Sequence, residues 1–205
     1  MESSHLDLKS EECKEFIKKI KSKLYIAIGS KKQAMPQTLR QYTTNCILTG
    51  GAIVSLLHGE EPNDYDLLFN FTHDLSVVMD DVVSKKYNII PEHLIADKKQ
   101  HYMEEPGKCV TDWAVTLTNN IQFVFRQASY RHGFDFIHCM PYYEIMKNKL
   151  FISQEQLDLI MHKQIKINPH HSQPIADYRI KKYIDRGWTA PDGNWNTDVE
   201  IDPPF

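Results

Sequence analysis

Residues 48–69 read LTGGAIVSLLHGEEPNDYDLLF, and this stretch decides the fold class. A short apolar run precedes a glycine pair, and a second apolar run follows the pair. A polar turn then separates the second apolar run from a third apolar run. This order predicts a buried strand over residues 46–48, a short helix over residues 52–57 and another strand over residues 64–71. A strand, a helix and a strand in succession indicate an α/β fold.

The neighbouring sequence extends this unit into a small mixed sheet with flanking helices. Apolar residues at helical intervals predict an amphipathic helix over about residues 11–28. Residues 109–117 and 121–126 predict a β-hairpin, because the Asn119-Asn120 pair between them tolerates the positive φ that such loops need. Residues 134–139 predict a further short strand.

The C-terminal part of the chain is expected to be mostly helical. Residues 142–150 are one candidate helix, and Ser153 with Gln156 resembles a capping box that opens another. Residues 175–186 predict a third helix, which Gly187 would end.

We therefore divide the chain into two parts. Residues 1–140 are expected to form a head domain that includes the N-terminal helix. Residues 141–205 are expected to form a helical C-terminal region with an irregular tail. The length of 205 residues, with 41% hydrophobic and 25% charged residues, is typical of a globular protein that buries a core.

Charge and hydropathy exclude several classes of function. The net charge of −3 gives no overall attraction for nucleic acid, so any phosphate binding must be local. No apolar run is long enough to span a membrane, and the N-terminus lacks the apolar segment of a secretory signal. The four cysteines lie far apart without a Cys-x-x-Cys pair, which predicts reduced thiols. We expect a cytoplasmic protein without a membrane partner.

Asp64 and Asp66 are the candidate catalytic and metal-binding residues. Residues two apart in a strand point to the same face, so the two carboxylates would lie together. Such a pair repels, and a divalent cation relieves the repulsion. Oxygen ligands at this spacing suit Mg²⁺, which also takes oxygens from substrate phosphates.

The glycine pair predicts the phosphate-binding half of the same site. Gly50 and Gly51 precede a helix whose free N–H groups and partial positive charge attract phosphate. The hydroxyls of Thr49 and Ser55 lie within plausible reach. A triphosphate held by N–H groups at one end and by Mg²⁺ at the other indicates phosphoryl or nucleotidyl transfer.

The stretch resembles the nucleotidyltransferase superfamily of polymerase β, poly(A) polymerases and CCA-adding enzymes. It is most similar to the head domain of the CCA-adding and poly(A) group, in which Gly-Gly is followed by a short helix with Leu-Leu and Gly, and then by Asp-x-Asp. The matching positions are Gly50, Gly51, Leu56, Leu57, Gly59, Asp64 and Asp66. Residues 118–127 and 133–144 also resemble phage and bacterial members of the superfamily.

The resemblance implies a nucleotidyltransferase core built on a small mixed β-sheet. It further implies a site with two Mg²⁺ ions, for which Mn²⁺ could substitute, and transfer of a nucleoside monophosphate from an NTP to an acceptor hydroxyl. ATP or CTP is the expected donor and RNA, including a tRNA-like 3′ end, is the expected acceptor. Transfer to a protein or small molecule, and nucleotide binding without turnover, are the alternatives.

The resemblance also implies further site residues. The family uses a third carboxylate from a neighbouring strand, and Asp135 is the choice, with Asp112 as the alternative. Asp135 lies in a predicted apolar strand, where an unpaired acid would be costly without a cation. Asp177 and Arg179 are the nearest analogues of the residues with which the family's following helix handles the nucleotide, although a solvated helix face explains them as well.

Other features of the sequence depart from the pattern or leave alternatives open. Val54 and Ser55 stand where CCA-adding enzymes carry an Arg-Asp pair, which weighs against CCA addition to tRNA. Arg126 could face a triphosphate or form a surface ion pair. The tryptophans could stack on bases, but they fit core or rim positions too; they are Trp113, Trp188 and Trp195. His138 is interpreted as a core histidine and His58 as a phosphate contact or a helix-terminal cation.

Overall fold

The computed structural model describes residues 11–29, 35–98, 107–172 and 174–189. Its helices are α1 Glu11–Gly29, α2 Gln37–Thr44, α3 Gly51–His58, α4 Thr72–Val83, α5 Gln154–Met161 and α6 Asp177–Ile184. Its strands are β1 Cys46–Thr49, β2 Tyr65–Phe69, β3 Asp97–Lys98, β4 Gly107–Lys108, β5 Ala114–Thr116, β6 Ile121–Gln127, β7 Tyr142–Glu144 and β8 Lys149–Phe151.

A six-stranded sheet in the order β5-β6-β2-β1-β7-β8 organises the chain, and β3 pairs with β4 outside it. The pair β2 and β6 is parallel, whereas the other neighbours in the sheet run antiparallel. The predicted α/β fold with a mixed sheet and flanking helices is confirmed. None of the described helices is long and apolar enough to cross a membrane.

One face of the sheet is buried, and the other is partly open. Along β6, burial alternates: Phe123 and Phe125 are almost fully buried, whereas Gln122 and Arg126 are half-buried. The buried face packs against α3 and α4, and α1 packs on α3. Strand residues that pair across a sheet share a face, so the alternation of β6 assigns a face to its neighbours as well.

We call the side that carries Gln122 and Arg126 the open face, although its residues on β1, such as Thr49, are buried. Register places one residue from each of five successive strands side by side on it. These residues are Gln122, Asp66, Thr49, Tyr142 and Phe151. The candidate site predicted from the sequence therefore lies on the open face, in the middle of the sheet.

Several elements agree with their sequence patterns. Helices α1 and α3 span the predicted residues to within one position at either end. Strands β5 and β6 form the predicted hairpin, and Asn120 in its loop has a φ of 63°. Ser153 and Gln156 form the predicted capping box at α5, with both of its hydrogen bonds present.

The predicted helix over residues 142–150 is wrong, because this segment forms strands β7 and β8 joined by a tight turn. Tyr143 and Leu150 pair across the hairpin and are buried, and Asn148 in the turn has a φ of 52°. The sheet hydrogen bonds to β1 override the helical spacing of the apolar residues. The division of the chain at residue 140 stays a prediction.

The predicted strand over residues 134–139 is also wrong. Asp135 lies in a bend, Phe136 makes an isolated bridge with Ile167, and Ile137–Cys139 is a 3-10 helix. Helix α2 was not expected from the sequence. The predicted irregular tail beyond residue 189 and Trp195 lie outside the described residues.

Candidate functional site

Gly50 and Asp66 lie in direct contact where β1 ends. A Cβ atom on Gly50 would come within 2.9 Å of Oδ2 of Asp66, and the φ of Gly50 is +74°. Space and backbone conformation therefore both require glycine here. Around the Cβ position of Gly51, by contrast, no atom lies within 4 Å, so room is left beside the N-terminus of α3.

The N-terminus of α3 carries no side-chain cap. The N–H group of Gly50 donates to the carbonyl oxygen of Cys139 at 3.2 Å, so this amide is already bonded. The next amides belong to the first turn of the helix, where N–H groups lack partners within the helix and attract anions. An anion at this point would also lie next to Asp66.

Asp64 and Asp66 form a pair of interacting carboxylates. Burial and the negative charge of Asp64 raise the pKa of Asp66 to about 7, and the cations Lys182 and Arg179 oppose this effect. Asp64 is half-buried and immediately precedes β2. The pair thus has the charge excess that a divalent cation would neutralise, because two close carboxylates cannot both ionise without cost.

Asp135 is compensated by an arginine. Its carboxylate is buried and accepts hydrogen bonds from Nε of Arg179 and, at 3.1 Å, from the N–H group of Phe136. Asp112, the alternative third acid, is exposed in the bend before β5. Within the described ranges, no three His, Cys, Asp or Glu side chains are arranged to hold a metal ion. The third carboxylate of the site stays a prediction.

Gln122 is a residue of this site that the sequence did not reveal. It pairs with Asp66 across the parallel strands β2 and β6, so the two residues are neighbours on the open face. Its Nε2 donates to Oγ1 of Thr116 at 2.8 Å. Only the parallel pairing brings the two strands together, and a pattern read along the chain does not contain that pairing.

Ser55 contacts an arginine. Its Oγ accepts a hydrogen bond from Nη2 of Arg186 at 3.0 Å, and the same nitrogen donates to Glu60 at 2.6 Å. This hydrogen bond lowers the pKa of Glu60, opposed by partial burial of the carboxyl. These bonds tie the C-terminal end of α6 to α3, and a nucleotide-binding role of Ser55 stays a prediction.

Helix α6 brings cations toward the carboxylates. Arg179 pairs with Asp135, and the positive charges of Lys182 and Arg179 both act on Asp66. Asp177 is the first residue of α6 and is exposed. Lys182 was not among the predicted site residues, although its spacing of three from Arg179 puts both on one side of a helix.

The family model of the Gabija anti-defense 2 family matches residues 7–163. The chain belongs to this family. A Thermotoga maritima CCA-adding enzyme complexed with tRNA is similar in structure, with a TM-score of 0.48 and 12% sequence identity. The similarity covers 82% of this chain and 42% of that one, so this chain spans less than half the length of the enzyme. No curated protein matches the sequence.

The part that matches the Gabija anti-defense 2 family includes the glycine pair and all the acids discussed above except Asp177. It ends at residue 163, before α6 begins. The cations Arg179 and Lys182 therefore reach the site from a segment beyond the family match.

A small cavity lies farther along the open face. Its volume is about 170 Å³. Tyr142 and Phe151 are parallel there with ring centroids 4.6 Å apart, and the guanidinium of Arg131 lies 4.2 Å from the centroid of Tyr142. The remaining lining residues are His132, Met140, Ile152, Ser153 and Gln156.

His138 and His58, which the sequence singled out, both contact neighbouring elements, but only His138 is fully buried. His138 is fully buried against Phe136, Tyr183 and Trp188, and burial lowers its pKa to about 3. Nε2 of His58 lies 2.8 Å from the carbonyl oxygen of Ile160. His138 lies in the core as expected, but neither of its ring nitrogens has a hydrogen-bond partner in the described part of the chain, so it is not the satisfied core histidine that the sequence indicated. His58 is held by α5.

Proposed function

We propose that this protein is a Mg²⁺-dependent nucleotidyltransferase that moves a nucleoside monophosphate from ATP or CTP onto an RNA hydroxyl. The observation that carries the proposal is the interacting carboxylate pair Asp64 and Asp66, of which Asp66 lies against Gly50 where α3 begins. The family's name supplies a setting, in which the transfer would serve to counter the Gabija defence.

The residues present fit a divalent cation at the carboxylate pair. Mg²⁺ binds proteins through one or two carboxylates and completes its shell with water and substrate phosphates. The raised pKa of Asp66 reflects the burial and repulsion that such a cation would offset. When bound, Mg²⁺ supplies charge neutralisation and orients the reacting oxygens. Asp135 would join a second ion only if Arg179 released it.

The protein's own groups have distinct tasks in this proposal. The first turn of α3 binds phosphate oxygens through its N–H groups, and Gly51 leaves room for them. Arg179 and Lys182 neutralise negative charge on the triphosphate, and Asp177 contacts the nucleotide at the start of α6. Positioning and electrostatics carry most of phosphoryl-transfer catalysis, so no covalent enzyme intermediate is required.

Label transfer tests the proposal. The protein is incubated with Mg²⁺, an α-labelled NTP and a mixture of RNA, protein and small-molecule acceptors, and the fraction that carries the label is identified. We expect label on RNA with the wild-type protein and none with Asp64→Ala or Asp66→Ala. Asp80→Ala removes an exposed carboxylate on α4, which packs on the buried face of the sheet, and serves as the matched control. Transfer that survives Asp66→Ala would overturn the proposal, and label on protein or a small molecule would change the acceptor.

A second function, nucleotide binding without turnover, has support of its own. Gln122, the neighbour of Asp66 on β6, is neutral, and Asp135 is paired with Arg179. A site with only two acids is poorly suited to two metal ions, whereas the N-terminus of α3 could still bind the phosphates of a nucleotide. Calorimetry separates the functions: NTP binding that does not depend on Mg²⁺, with no label transfer to any acceptor, would favour the binding protein.

A further inference from the structure

Two exposed aromatic rings flank one arginine on the open face. The guanidinium carbon of Arg126 lies 3.8 Å from the ring centroid of Trp113 and 5.5 Å from that of Tyr130. Trp113 is 60% exposed and Tyr130 is 52% exposed, and the edge of Tyr130 meets Phe134. Both rings therefore contact a cation on one side and solvent elsewhere.

Core packing and surface ion pairing do not explain this cluster. A tryptophan with one face on a guanidinium and 60% of its surface exposed leaves its other face to solvent. Nη1 of Arg126 donates to the carbonyl oxygen of Phe125 at 2.8 Å, and no carboxylate in the described part of the chain pairs with Arg126. The cluster thus has a positive charge that no carboxylate of the described residues pairs with, next to two exposed rings.

Arg126 of the cluster lies on the same strand as Gln122, the neighbour of Asp66. Gln122 and Arg126 are both half-buried on the open face of β6, and four residues of strand span about 13 Å. A few nucleotides of a single strand cover such a distance. Strand β6 therefore places the carboxylate pair and the cluster on the same face of the sheet, within reach of one RNA strand.

We propose that Trp113, Arg126 and Tyr130 form a stacking platform for single-stranded RNA. Bases stack on exposed aromatic rings without regard to sequence, and an arginine between the rings adds attraction for the backbone and the base faces. The inference rests on the proposed function: the RNA whose 3′ hydroxyl meets Asp64 and Asp66 would lay its preceding bases on the platform.

Fluorescence anisotropy with a labelled, unstructured oligouridylate tests the platform directly. Replacing one stacking ring is expected to weaken RNA binding about tenfold, so we expect that increase in Kd for Trp113→Ala and for Tyr130→Ala. Trp113→Phe keeps a stacking ring and should restore most of the affinity. Tyr25→Ala is the matched control, because Tyr25 is 53% exposed and also lies beneath a cation, Lys21, at 5.8 Å on α1.

The outcomes separate the platform from the proposed function. An unchanged Kd for Trp113→Ala, an equal loss in Tyr25→Ala, or no binding of RNA by the wild-type protein would overturn the platform. Circular dichroism of each variant shows whether a loss of binding comes from unfolding. RNA binding that depends on Trp113, without label transfer, would support the platform and reject the transferase. If label is transferred to RNA and Trp113→Ala changes neither the transfer nor the binding of RNA, the transferase is supported and the platform is rejected.

Discussion

At the scale of single residues, Gly50 is the position with the least freedom. Alanine there would place its Cβ 2.9 Å from Oδ2 of Asp66 at a φ of +74°, and such strain costs about 1–3 kcal/mol. We expect Gly50→Ala to lower the free energy of unfolding by that amount and to displace the carboxylate. Urea unfolding measures the change.

The matched control for this substitution is Gly51→Ala. Its Cβ would meet open space and its position is helical, so we expect stability within about 1 kcal/mol of the wild type. Equal stability of the two variants would show that the contact between Gly50 and Asp66 does not constrain the chain.

The pKa of Asp66 predicts how stability depends on pH. Burial and Asp64 raise it from 3.8 to about 7, so the folded state binds a proton more tightly than the unfolded state. The contribution of Asp66 to the free energy of unfolding is therefore fully present below about pH 4 and is lost as the pH rises through 7. We expect Asp66→Asn to remove this loss, as measured by thermal unfolding across the pH range.

Mg²⁺ is expected to stabilise the folded protein when the carboxylate pair is ionised. At pH 8 the ionised pair binds the cation, so Mg²⁺ should raise the unfolding temperature of the wild type, and by less at pH 6. Asp66→Asn should show little response at either pH. If Mg²⁺ raised the unfolding temperature of Asp66→Asn as much as that of the wild type, the cation would bind at a site other than the carboxylate pair.

At the scale of elements, the sequence predicts local units better than their partners. Residues 46–69 specify strand, helix and strand because each segment has its own periodicity and its own terminating glycine or turn. Strands β7 and β8 were misread because three-residue strands are too short to show a period of two. Gln122 was missed because the parallel pairing of β2 and β6 joins segments far apart in sequence.

Arg186 adds polar contacts to the apolar packing of α6, whose Ile180 and Tyr183 are buried in the core. Arg186, just beyond the helix, donates to Ser55 at 3.0 Å and to Glu60 at 2.6 Å, and these groups are only partly exposed. We expect Arg186→Ala to cost about 1 kcal/mol or less, since partly exposed ion pairs contribute little. Hydrogen exchange should quicken in α6 while the sheet is unaffected.

Lys181→Ala is the control for this change, because its pair with Asp185 is exposed on both sides and lies within one segment. Faster hydrogen exchange of α6 in Lys181→Ala would contradict a specific role of the Arg186 contacts. An exchange rate in Arg186→Ala equal to that of the wild type would contradict it too. The result bears on function, since α6 carries Arg179 and Lys182 toward Asp66.

At the scale of the whole molecule, the open face brings together features that are separate in the sequence: the carboxylate pair, the glycine pair and the cluster around Arg126. The acids and glycines could be predicted because they are close in sequence, and their spacing reports on one strand–helix–strand unit. The cation–π contacts of Arg126 could not be predicted, because they bring together the bend before β5, strand β6 and the 3-10 helix Ala128–Gly133. The half-buried sheet surface is thus a property of the tertiary fold.

Membership of the Gabija anti-defense 2 family allows a catalytic role to be tested in cells. If nucleotidyl transfer counters the Gabija defence, cells that carry the defence should lose its protection when they express the wild-type protein and keep it with Asp64→Ala or Asp66→Ala. Asp80→Ala, which removes an exposed carboxylate on α4, should behave as the wild type. Turnover requires the carboxylates, whereas a protein that acts without turnover can tolerate the loss of one. An equal loss of protection with Asp66→Ala and with the wild type, at equal protein levels, would therefore exclude catalysis as the means by which the defence is countered.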